Sequence, residues 1–180
     1  MADYNIIGLS GSLRKDSCNT KLLREAARLL GNCDYVEADL NLPLYNGDDE
    51  ASEGIPSIVR HVSDQISAAD AILISTPEYN KGPSGVLKNA LDWVSRTEGN
   101  PWDGKPVAVM SAAAGRAGGE RAQMVLRGFM VPFRPHILQG PEIHLADCNN
   151  QFDEAGRLTG TAYVKSLTAL MKALRGAAGS

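Results

Sequence analysis

The densest chemistry in the chain lies in Ser10-Gly11-Ser12-Leu13-Arg14-Lys15-Asp16-Ser17-Cys18-Asn19-Thr20, where four hydroxyls and two cations follow a short apolar run. Such a stretch suits an anion. An arginine fork, hydroxyl donors and the unpaired N–H groups of a helix start all favour negative charge, and a phosphate uses all three. The competing reading is plain capping, with Ser17 or Asn19 closing a helix start and Ser10 to Asp16 forming a solvated turn. Two rival phosphate motifs fail on their context. Cys18 and Arg24 have the C-x5-R spacing of a thiolate phosphatase, but the residues between them read as helix and the chain has no Asp-Pro acid. Gly99 to Lys105 has the spacing of a nucleotide-binding loop, but Pro106 replaces the magnesium-holding hydroxyl and a strand follows.

Two further loops carry small, rigid and aromatic residues. Thr76-Pro77-Glu78-Tyr79-Asn80 leaves AILIST at 71–76, the most hydrophobic strand candidate. Pro77 stiffens the turn, Tyr79 offers an aromatic wall, and the neighbouring N–H groups suit the edge of a heterocycle. An ordinary turn also uses Pro and Asn. Ser111-Ala112-Ala113-Ala114-Gly115-Arg116-Ala117-Gly118-Gly119 again ends a strand in small residues, which let a flat ring approach the backbone. Arg116 and Arg121 read as solvated cations beside it, and Glu78 as a residue that positions backbone rather than an acid. His61, His136 and His144 share no metal-ligand spacing. Cys18, Cys33 and Cys148 are odd in number without CxxC spacing, so they read as reduced thiols, with no chemical partner identifiable for Cys148.

Bringing three such loops together requires strand–loop–helix units. YNIIGLS at 4–10 reads as a strand, and Leu22, Leu23, Ala26, Ala27, Leu29 and Leu30 mark the helix after it. A weaker strand lies near 34–40, followed by a Pro/Gly/Asp loop and a helix from about Pro56 carrying Ile58, Val62 and Ile66. AILIST precedes a helix with Val86, Leu87, Ala90, Leu91 and Val94, and PVAVMSA at 106–112 precedes one from about Gly119 to Val131. A last strand falls around 136–139 and a last helix carries Val164, Leu167, Leu170, Met171 and Leu174. Five βα units with continuously apolar strands predict a parallel sheet covered on both faces, in the α/β doubly wound order 2-1-3-4-5. Ligands of such sheets bind outside the strands' carboxyl ends, where the three loops lie.

Composition narrows the partners. The length of 180 residues suits one domain spanning 1–180. A net charge of −3 without basic clusters argues against nucleic acid. No apolar run approaches the ~20 residues of a membrane span, and MADYNIIGLS lacks the regions of a secretory signal, so a cytoplasmic protein is expected.

Taken in register, GSLRKDSCN, STPEYNKGPSGVLKNALDW, and SAAAGRAGGERAQMVLR with GKPVAV before it resemble the NADPH-dependent FMN reductase family, which includes chromate, quinone and azo-dye reductases. The resemblance runs over about residues 4–145. It implies a flavodoxin-like three-layer sandwich, FMN as cofactor, NADPH or NADH as electron donor, and ping-pong hydride transfer through the flavin to a small acceptor such as a quinone, free flavin, azo compound or chromate. Carried onto this sequence, it puts the phosphate at Ser10, Ser12, Arg14, Ser17, Asn19 and Thr20, with Leu13 also in the cofactor site. The ring would lie against Pro77, Glu78, Tyr79 and Asn80 on one side and Ser111, Ala112, Ala113 and Gly115 on another. No catalytic side chain is implied, since the flavin carries the chemistry. The resemblance also implies a homodimer or homotetramer. The helix from Pro83 to Arg96 carries a broad apolar stripe that either faces the chain's own core throughout, leaving Trp93 buried in a monomer, or packs partly on a partner, with Trp93 gaining burial on association; the oligomer favours the second. Lys81-Gly82 and Met124 depart from residues common in the family, so the acceptor preference of relatives does not transfer. The alternatives are an electron-carrying flavodoxin, which a serine- and arginine-rich first loop argues against, and a non-catalytic regulatory domain on the same scaffold.

Overall fold

The computed structural model describes residues 4–179. In chain order the elements are β1 (Tyr4–Ser10), α1 (Cys18–Leu30), β2 (Cys33–Glu37), α2 (Gly47–Glu53), α3 (Ser57–Ala68), β3 (Ala71–Thr76), α4 (Gly85–Val94), β4 (Pro106–Ala112), α5 (Glu120–Met130), β5 (His136–Ile137), β6 (Ile143–Leu145) and α6 (Thr161–Ala178). The strands pair in parallel in the order β2-β1-β3-β4-β5, with β6 also on β4. This is the expected doubly wound, flavodoxin-like arrangement.

The alternating orientation of strand side chains divides the core in two. Ile6, Leu73 and Met110 point to one face, where Leu22, Leu23 and Ala26 of α1 meet Leu167, Leu170 and Leu174 of α6. Ile7, Ile72, Ile74 and Val109 point to the other, under Val62 and Ile66 of α3, Leu87 and Leu91 of α4, and Leu126 and Met130 of α5. Every residue of β3 and β4 is buried, so these strands read as unbroken apolar runs rather than alternating ones. Each such large aliphatic side chain contributes roughly 1.5–3 kcal/mol through burial.

Three expectations change. The second strand ends at Glu37 rather than near residue 40, and the loop after it contains α2, a helix with no buried residue that is held by the Asn46 cap and acidic residues in its first turn. The fifth strand is in two pieces. His136–Ile137 pairs with Pro106–Val107, the chain leaves the sheet through Gly140-Pro141, and Ile143–Leu145 returns beside Met110–Ala112. Trp93 is already interior in the single chain, 2% exposed, with its Nε1–H donating to Pro43 O at 2.7 Å and its ring edge-on to Tyr45. It therefore has no burial left to gain on association.

Register places the site. Ser10 pairs with Ser75, and Thr76 with Ser111, so the three loops leave the sheet at one level.

Candidate functional site

The first loop is tied down before any ligand is considered. Ser17 Oγ accepts from the N–H groups of Asn19 and Thr20 at 3.2 and 3.3 Å, capping α1, while Ser10 Oγ bonds Thr20 Oγ1 at 2.8 Å. Asn19 is buried and engaged at both ends of its amide. Its Oδ1 accepts from Ser75 Oγ at 2.8 Å and from Ala112 N at 3.0 Å, and its Nδ2 donates to Ala112 O at 3.0 Å. One amide thus fastens the start of α1 to the ends of β3 and β4. Gly11 donates to Ser75 O at 2.8 Å, and a Cβ there would come within 2.9 Å of Ser84 Oγ and 3.1 Å of Pro77, so the first and second loops touch only because this residue has no side chain. Arg14 is exposed, and its guanidinium makes no hydrogen bond or ion pair among the described residues.

The second loop reverses tightly, with Tyr79 and Gly82 exchanging backbone hydrogen bonds at 2.9 and 3.1 Å across Asn80 and Lys81, both at positive φ. Glu78 Oε2 accepts from the N–H groups of Arg121 and Ala122 at 3.1 and 3.3 Å. It caps α5, the backbone-positioning role its place in the sequence suggested. In the third loop Ser111 Oγ donates to Gly118 O at 2.6 Å and accepts from Gln123 Nε2 at 2.9 Å. Gly119 sits at φ +91°, where a Cβ would also press on Ser111. The segment after β6 closes this loop: Ala113 N donates to Leu145 O at 3.0 Å and Cys148 N to Ala113 O at 3.2 Å.

Between the loops lies a cleft of about 330 Å³. Ser12, Arg14, Ser17 and Asn19 line it from the first loop, Pro77, Glu78 and Tyr79 from the second, and Ala112, Ala113 and Gly115 from the third. Ser10, Leu13, Thr20, Asn80 and Ser111 do not line it; Ser10, Thr20 and Ser111 brace the loops from behind. Tyr79 is half exposed at 53%. Sequence reasoning missed Cys18, Cys148 and Asn149 in the wall. Cys18 stood inside the first motif, but Cys148 and Asn149 follow a three-residue strand with no signal of its own. Burial and the neighbouring Cys18 push the Cys148 thiol up from 9.0 to about 12.

The rejected motifs are otherwise employed. Arg24 pairs with Glu37 through bonds of 2.6 and 2.9 Å, and Lys105 Nζ donates to the carbonyls of Ser67 and Ala69 at the end of α3. A larger groove of about 570 Å³ runs between α4 and α5 past Leu91, Trp102, Phe129 and Phe133. Its greater volume does not make it the site, because it lies away from the strands' carboxyl ends and lacks the convergent donors of the smaller cleft.

The cleft can take a ligand with an anionic end at the first loop and a flat body against Tyr79 and the small residues of the third. Comparison with known proteins agrees in kind. The sequence profile of the NADPH-dependent FMN reductase family matches residues 4–150. An NAD(P)H-dependent FMN reductase of Pseudomonas aeruginosa is 46% identical over 158 residues, covering 87% of this chain and 85% of that protein. A quinone reductase of Pseudomonas putida is 39% identical over 159 residues, covering 86% and 84%. The structure of FerB, a flavoenzyme NAD(P)H:(acceptor) oxidoreductase from Paracoccus denitrificans, superposes with a TM-score of 0.87 at 32% identity, covering 98% of this chain and 97% of that one. Among the described residues no helix is long and apolar enough to cross a membrane.

Proposed function

Because the chain belongs to the NADPH-dependent FMN reductase family, we propose that its three-loop cleft binds one FMN and that a quinone-class molecule is the acceptor of the electrons NAD(P)H supplies. NAD(P)H-dependent oxidoreduction with FMN follows from the family itself. The choice of acceptor is this chain's own question, and the quinone reductase among its relatives favours that class.

The observation that carries the reading is the first loop. Arg14 points an unpaired cation at a cleft whose wall includes the Ser12 hydroxyl and the start of α1, a donor set that fits a phosphate dianion. Ser17 spends its hydroxyl on the helix, so its part is to hold the α1 start in place. Asn19 likewise acts through position, fixing the distance between the phosphate end and the third loop. Bound FMN would supply two-electron hydride acceptance and donation. Tyr79 and Pro77 would wall one side of the ring, and the third loop would approach its edge, where the Ala114 and Gly115 N–H groups, not spent on Asn19 and Leu145 as those of Ala112 and Ala113 are, would stabilise developing negative charge. The half-exposed Tyr79 leaves the remaining side open to solvent, and donor and acceptor would occupy that side in turn, as a ping-pong sequence requires. The same reading carries a cytoplasmic setting, where NAD(P)H is available, and a homodimer or homotetramer.

The test is reconstitution of the purified chain with FMN, followed by NADPH and NADH oxidation with and without a benzoquinone. Flavin near one per chain and quinone-dependent turnover are expected. Failure to retain flavin after reconstitution removes the reading.

A further inference from the structure

Two of the three cysteines share the wall of the cleft. Cys18 opens α1 and Cys148 opens the short 3-10 turn after β6. Both thiols approach one acceptor, Asn149 Oδ1, at 3.7 and 4.0 Å. Their backbones are held independently at consecutive residues of one strand end. Asn19, next to Cys18, bonds Ala112 through its side chain, and Cys148 N donates to Ala113 O. This juxtaposition is therefore built by the fold rather than by the thiols. Cys33 is elsewhere, its Sγ directed at Ala27 O at 3.7 Å.

We propose that Cys18 and Cys148 are a disulfide-forming modification site, oxidised by hydroperoxides and shielded when FMN fills the cleft. Cys18 is partly exposed and Cys148 is buried, so a peroxide reaches Cys18 first. Its sulfur takes one peroxide oxygen, the O–O bond breaks, and Cys18 becomes a sulfenic acid with release of water or an alcohol. The Cys148 sulfur then attacks that sulfur. The S–S bond forms, the S–O bond breaks, and the hydroxyl leaves as water with the Cys148 proton. Two thiols are oxidised and one hydroperoxide is reduced. Burial holds Cys148 as the protonated thiol at neutral pH, so it is not the site of first attack, and its attack on the sulfenic sulfur passes that proton to the departing hydroxyl.

Bond formation stands apart from the flavin reading, whereas the shielding rests on it. The experiment uses the full chain, reduced, exposed to hydrogen peroxide with and without FMN, alkylated, and mapped by mass spectrometry. Tryptic peptides 16–21 and 128–157 should appear joined, with two hydrogens lost, in the native sequence and in Cys33→Ser alike. Cys148→Ser should leave Cys18 as a sulfenic acid trappable by dimedone, and Cys18→Ser should leave Cys148 unmodified. FMN should slow the joining about tenfold or more, as expected when a ligand in excess occupies the reactive surface. Separate oxidation of both cysteines to higher acids, or a bond through Cys33, overturns the proposal. Flavin that binds by absorbance without slowing the bond overturns the shielding. Joining in a protein that binds no flavin supports the thiol pair and defeats the flavin reading alone.

Discussion

Arg14 and Cys148 stand at opposite ends of the same chemical problem, one a cation held in water and the other a thiol held out of it. Arg14 has nothing but ligand to answer to, so Arg14→Ala should leave folding intact while weakening FMN by about 1.5–3 kcal/mol, or roughly 10- to 150-fold in dissociation constant. Fluorescence titration of the apoprotein measures it, and an unchanged constant would place the phosphate elsewhere. For Cys148 the consequence lies in stability. The unfolded chain ionises this thiol near its ordinary 9.0, while the native state keeps the proton up to about 12. Between those values the native state binds more protons, so its advantage, complete below about pH 9, is lost as pH rises through that window. Tyr35, pushed upward chiefly by burial, acts in the same direction. Urea denaturation at about pH 8 and about pH 10.5 should show the lower midpoint at the higher pH, with a smaller drop in Cys148→Ser.

At the scale of elements, Glu78 joins the second loop to the start of α5 by two backbone hydrogen bonds. Replacing it with alanine removes a cap and should cost about 1 kcal/mol, a cap's usual contribution. Because the carboxylate also lines the cleft, Glu78→Gln is the useful companion: its amide oxygen can still accept, so it should recover most of the lost thermal midpoint. The strands β1, β3 and β4 that carry the three loops, and the helices after them, announced themselves, because β3 and β4 are buried on both faces and the helices carry clear apolar stripes. What stayed hidden has local physical causes. Residues 143–145 are too short to show a period, and β6 is a strand only because β4 offers Met110 to Ala112 beside it. α2 buries nothing and exists through its cap and charges, which mimic a polar loop in composition. The three motifs located the cleft, but not which members face it and which brace it from behind. Asn19 and Ser111 look like ligand donors in sequence, and only the fold shows their hydrogen bonds spent on Ala112, Ser75, Gly118 and Gln123.

For the whole molecule, the question is what covers the groove between α4 and α5. Phe129 and Phe133 line it, and Met124 and Val131 are 69% and 72% exposed nearby in sequence. Association through this side is the form the oligomer proposal now takes, with Trp93 removed from it. Sedimentation at micromolar concentration should find a dimer or tetramer, and Phe129→Asp should shift it toward monomer. Trp93→Ala should instead act inside each chain, costing about 3–5 kcal/mol by opening a cavity beside Tyr45. The divided fifth strand has a consequence of its own. A continuous outer strand beside β4 would offer a row of free N–H and C=O groups to any other sheet. Here that border is two fragments of two and three residues, separated by a segment containing Pro141, which has no N–H to give. A sheet growing onto this edge would find neither enough length nor an unbroken row of donors to hold it. The side of the protein nearest the cleft's closing segment is thus guarded against fibril-like growth.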